Sequence, residues 1–118
     1  MRAAFMTTLD LTYEAIEIEK GPSDNQEQTE KKFIQVVTKI ESASAMADTV
    51  DEGFLKWVHP ELPAAFGKLR ECLRLKAKGM RSNDLKLQQT ASDLWLEWGS
   101  FWAKNDKQIY QKIKVPGS

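Results

Sequence analysis

Two acidic pairs stand at a spacing that metal chemistry on helices can use. Glu14 and Glu17, and again Asp48 and Asp51, are three residues apart, so on a helix each pair presents its carboxylates on one face. Four such groups on neighbouring helices would hold Mg²⁺ for phosphate chemistry. The pattern carries its own objection. Glu14 and Glu17 fall nearly opposite Phe5 and Ile16 on the helical wheel, toward solvent, whereas Asp51 falls with the apolar residues of its segment.

Nucleophilic and acid–base schemes are scarcer still. His59 is the one histidine, and Lys56 stands three residues before it, so the Glu-x-x-His pattern of helical metal sites is absent. It precedes Pro60 in a turn, where an exposed imidazole is the plain expectation. Cys72, the one cysteine, falls on an apolar helix face, where thiols are inert. A single cysteine excludes an internal disulfide and a cysteine zinc cluster, and fits a reducing compartment. The glycines are isolated, so no phosphate loop is present. The expectation is no catalytic residue, no metal and no cofactor.

Arg70, Arg74, Lys78 and Arg81 form a basic ridge at i, i+4, i+8 and i+11, flanked by Lys76 and Lys86. Such a ridge can neutralise several phosphates of a nucleic acid. Two alternatives compete with that use. Cations near a helix C-terminus complement its dipole, and the chain supplies its own acids. Residues 1–61 carry twelve Asp/Glu against six Lys/Arg, a balance of −6, and residues 62–118 carry five against eleven, a balance of +6. Halves of opposite charge attract, within one chain or between two copies.

The elements that must position these groups follow from a period of 3.6. Leu94, Trp95, Trp98, Phe101 and Trp102 fall within an arc of about 120° on a helix, extended by Leu87, Ala91, Ile109 and Ile113. This predicts a helix over 83–114, capped by Ser82 and its neighbours, with a kink at Asn105 and a stop at Pro116. At ~1.5 Å per residue it spans ~45 Å, which points to an elongated bundle or a shared core. A helix over 63–78 starts with Pro63 and ends at Gly79, burying Leu62, Phe66, Leu69, Cys72, Leu73 and Ala77. A helix over 24–58, opened by Ser23 or Asp24, buries Phe33, Val36, Val37, Ile40, Ala43, Ser44 and Ala47 and breaks near 48–53. The run His59–Pro63 separates it from the next. Residues 3–20 are the ambiguous stretch: Phe5, Leu9, Tyr13 and Ile16 share a helical face, yet Leu9, Leu11, Tyr13 and Ala15 alternate like a strand. Helix is preferred because a lone strand has no pairing edge, and Gly21-Pro22 would stop it through a left-handed glycine.

These elements predict an all-α, antiparallel up-and-down four-helix bundle, elongated and oligomeric, in one domain over 1–118. The stripe Trp95, Trp98, Phe101 and Trp102 is either core or interface, and Trp57, off the main apolar arc, is the better candidate for an exposed anchor, with packing under the 59–63 turn as the near-equal alternative. No segment reaches the ~18 apolar residues of a membrane span, and Asp10 interrupts the start before a signal-peptide core forms; a cytoplasmic location is expected. The leading functional expectation is a non-catalytic accessory protein acting by protein–protein association, with a second copy and another protein as partners. A nucleic-acid-binding accessory protein using the ridge is the alternative. A Mg²⁺-dependent all-α nucleotide phosphohydrolase ranks below both.

Overall fold

The helical period is realised in five elements, and the described residues contain no strand. In this computed structural model residues 1–114 are described. The helices are α1 (Arg2–Lys20), α2 (Gln26–Asp48), α3 (Glu52–Val58), α4 (Leu62–Ser82) and α5 (Leu85–Lys114). Pro116, the expected stop of the last helix, lies outside the described residues.

The ambiguous first stretch is helical, with Phe5, Thr8, Leu9, Thr12 and Ala15 buried. The two threonines satisfy their hydroxyls within the helix. Thr8 Oγ1 donates to the carbonyl of Ala4 at 2.8 Å and Thr12 Oγ1 to that of Thr8 at 2.7 Å, so neither leaves a polar atom orphaned. Gly21 is extended, at φ −66° and ψ 160°, and not left-handed as the sequence suggested. Asn25, rather than Ser23 or Asp24, opens α2: its Oδ1 accepts the Gln28 N–H at 2.8 Å.

The expected break falls at residues 49–51. Asp51 makes it by accepting the Phe54 N–H at 2.9 Å, which caps α3. That use turns Asp51 outward, against the inward position read from an unbroken wheel. Phe33 is likewise 42% exposed rather than inward; it lies about two turns from the start of α2.

Two boundaries differ further along. Gly79 does not end the third long helix. The chain stays helical to Ser82 and stops at Asn83, whose φ of 53° and ψ of 43° is the left-handed cap conformation. Ser82 does not cap the next helix, because its hydroxyl donates back to Lys78. Asp84 does, accepting the N–H groups of Lys86 at 3.0 Å and Leu87 at 3.2 Å. Asn105 makes no break: its Nδ2 donates to the Phe101 carbonyl at 2.9 Å and α5 runs on.

α1 folds back on α2, α4 pairs with α5, and α2 packs on α4, while α3 lies across the α4–α5 pair. α1 and α5 meet chiefly through rings, Phe5 on Trp102 at 6.3 Å and Tyr13 on Trp95 at 5.9 Å. Arg2 Nη1 donates to the Ile113 carbonyl at 3.2 Å and ties the start of α1 to the last turn of α5. The particle measures 50 × 26 × 24 Å, so α5 runs most of its length.

Candidate functional site

The tryptophan stripe faces inward. Trp98 is fully buried, stacked on Trp102 at 5.4 Å and 18°, and edge-on to Phe66 at 6.2 Å. Trp102 continues to Phe5 and to Tyr110, the latter at 5.4 Å. Phe101 meets Trp98 at 6.0 Å and the His59 ring at 5.5 Å. Trp95 packs on Tyr13. Each ring of the stripe therefore has an aromatic neighbour within its own chain, in the tilted, stacked and edge geometries that such pairs prefer.

One polar atom in this cluster is unsatisfied. Trp98 Nε1 is buried without a hydrogen-bond partner. The Tyr13 hydroxyl interacts with it, but too loosely to count as a bond. Burial pushes the Tyr13 phenol up, and the contact with Trp98 opposes that only in part.

Trp57 behaves differently. It is 41% exposed, with Phe54 at 6.1 Å on one side and the Lys112 ammonium 4.5 Å over its ring. It is an aromatic set on the surface beside a cation, as expected for a residue off the main arc.

The basic ridge is largely engaged by its own chain. Arg70 donates from Nε to the Ala47 carbonyl at 3.1 Å and from Nη2 to that of Val50, and its guanidinium lies 4.9 Å over Phe66. It thus satisfies two carbonyls where α2 ends. Arg74 pairs with Glu71 on its own helix. Arg81 pairs with Glu41, and the flanking Lys76 with Glu19 at 3.2 Å. Lys78 has no ion-pair partner among the described residues. Arg81 and Lys76 reach into the acidic half of the chain, which is where the segregated charges meet.

The acidic pairs are not brought together. Glu14 bonds Lys39 at 2.8 Å, and Asp48 lies nine residues further along α2, ~13 Å by helical rise. Among the described residues no group of three or more His, Cys, Asp or Glu is placed to hold a metal. His59 Nδ1 accepts the Glu61 N–H at 3.0 Å, which folds the turn before α4. Burial pushes the Cys72 thiol up to about 11, with Lys76 opposing slightly, so it stays protonated and weakly nucleophilic at neutral pH.

Two features escaped the reading of the sequence. A cavity of about 120 Å³ opens between α1, α2, α4 and α5, lined by Ile16, Ile40, Leu73, Ala91 and Trp95 and by the Lys76–Glu19 pair. No periodicity argument finds it, since it arises where four helices fail to close. The second was legible. Leu96 interrupts the polar side of α5, between Trp95 and Glu97, and stands 69% exposed, with Leu85 76% exposed eleven residues earlier. Eleven residues is three helical turns, so the two share a face. Among the described residues no helix is long and apolar enough to cross a membrane. No family model, curated protein or solved structure matches the chain.

Proposed function

We propose that the chain is a non-catalytic accessory protein acting by protein–protein association, with a second copy of itself among its partners. In this reading α1, α2, α4 and α5 form an antiparallel up-and-down four-helix bundle. The pairings of Glu14 with Lys39, Glu41 with Arg81, Lys68 with Glu97 and Arg2 with Ile113 support it, each joining residues at matching heights on oppositely directed helices. The observation that carries the functional reading is the side of α5 turned away from Trp98, where Leu85 and Leu96 lie open. Large apolar side chains on a flat helix face are what an association surface offers. The unpaired, protonated Cys72 is at home in the cytoplasm.

Light scattering of the purified chain tests this. A mass above the 13.5 kDa of one chain at tens of micromolar is expected, and a strict monomer there removes self-association. Nucleic-acid binding is the weaker reading, since Arg70, Arg74 and Arg81 already have partners. Anisotropy with labelled DNA and RNA at two salt concentrations checks it, and silence at low salt ends it. A Mg²⁺-dependent phosphohydrolase is weaker again, because Glu14 and Asp48 lie far apart; magnesium calorimetry checks it.

A further inference from the structure

We infer that a second copy of this chain docks antiparallel on the outer face of α5, about a two-fold axis beside Ser100. The inference rests on the self-association reading and names its surface. Leu85, Gln89, Ser92, Leu96, Ser100 and Ala103 fall within an arc of about 80° on α5; all six are exposed and none is charged. Gly99 flanks this lane, and a Cβ built there meets nothing within 4 Å. The fold of a single copy therefore has no use for glycine at that position, although glycine weakens a helix interior relative to alanine. Close approach of another backbone is a use for it.

The charges choose the occupant and its direction. Along one edge of the lane Lys86 comes first, then Asp93, Glu97 and Lys104, while Lys107 falls within the arc of the lane itself, one turn past Ala103. All five are exposed. Among the described residues Asp93 accepts only from Gln89 on its own helix, at 3.2 Å. Glu97 has a long contact of 3.4 Å with Lys68. Lys104 and Lys107 have no ion-pair partner among the described residues.

A parallel copy related by a two-fold axis along the helices would turn this edge toward the opposite edge of the partner, so its acids and bases would not meet. An antiparallel copy related by a two-fold axis keeps the same edges together and reverses the order. Asp93 then faces Lys107 of the partner subunit for a centre at position 100. Glu97 faces Lys104 of the partner subunit for a centre between 100 and 101. Two independent opposite-charge pairs are thus satisfied by one axis, each occurring twice, against one like-charge pairing, Lys86 with Lys114 of the partner subunit, at the far ends of the helices. The same axis brings Leu96 of each copy against Ala103 and Ser100 of the other.

The test uses two variants of the full chain: Asp93→Lys with Glu97→Lys, and Lys104→Glu with Lys107→Glu. All four positions are exposed, and circular dichroism checks that each variant stays helical. By sedimentation the parent is expected to dimerise, each variant to self-associate at least tenfold more weakly, and an equimolar mixture to recover the parental affinity as a heterodimer. Leu96→Gln, which touches only an exposed residue, is expected to weaken the parent in the same assay. If both charge variants associate as the parent does, this seam is wrong while self-association stands. If the mixture stays monomeric, the antiparallel register is wrong. A parent that is monomeric throughout removes the seam and the self-association reading together.

Discussion

Arg81 and Glu41 join the two halves of the chain through a two-pronged ion pair. Nε donates to Oε2 at 3.0 Å and Nη2 to Oε1 at 2.8 Å, from the last turn of α4 to the middle of α2. The matched fork explains why hydrogen bonds from Arg81 hold the Glu41 carboxyl below the usual carboxylate range. Arg74 does the same to Glu71.

A carboxylate whose pKa is lower in the folded chain stabilises it fully above the unfolded value, near 4.3. That contribution is lost as pH falls through the lowered folded value. The thermal midpoint is therefore expected to drop on acidification below roughly pH 4.5, and the drop should be shallower in Glu41→Gln and in Glu71→Gln. Both pairs are solvent-exposed, so near neutral pH the variants should melt close to the parent. Parallel acid slopes in parent and variants would refute this assignment.

Arg70 is expected to matter for stability. Removing it strands the Val50 carbonyl, takes from the Ala47 carbonyl the donor it has besides the Val50 N–H, and uncovers Phe66, so Arg70→Ala should cost about 1–3 kcal/mol in urea unfolding. Arg70→Lys should recover only part of this, because an ammonium cannot reach both carbonyls as a planar fork does. Full recovery by lysine would mean that charge alone is at work.

Two helical glycines should respond in opposite directions. A Cβ at Gly67 meets nothing within 4 Å, so Gly67→Ala should raise stability by up to ~1 kcal/mol through helix propensity. At Gly79 it would lie 2.7 Å from Gln88 Cγ and 3.1 Å from the Asp84 carbonyl oxygen and the Gln88 nitrogen. Gly79→Ala should therefore destabilise, and differential scanning calorimetry of the two variants should separate them by sign.

The tryptophans divide by burial. Trp98→Ala should cost ~3–5 kcal/mol, whereas Trp57→Ala should cost about 1 kcal/mol or less, chiefly the contact with Lys112. Acrylamide should quench a variant retaining only Trp57 readily and one retaining only Trp98 poorly. Similar quenching of the two would contradict the inward stripe.

Helix content and much of the core were legible because the signal is local. Phe66, Leu69, Leu73, Trp98, Ile109 and Ile113 announce their burial through neighbours three and four residues away, and all six are buried. The break near 48–53 was legible too, from Asp51 and Gly53. The end of the third long helix was not. Gly79 serves equally as a left-handed stop or as a flat spot for a crossing chain, and one letter does not distinguish the two. The close approach of Gln88 decides for the second.

The sequence by itself determined the helices, their apolar sides and the opposite charge of the two halves, since these depend on residue type and spacing alone. Tertiary structure decided which acid each base meets. Arg81 finds Glu41 forty residues away and Lys76 finds Glu19 fifty-seven away. Such pairings depend on the roll and register of packed helices, set by side chains of the whole core at once. For the same reason only the folded chain distinguishes Trp98, closed inside by Phe66 of α4 and by the rings of its own helix, from Leu96, two residues away and open to whatever comes next.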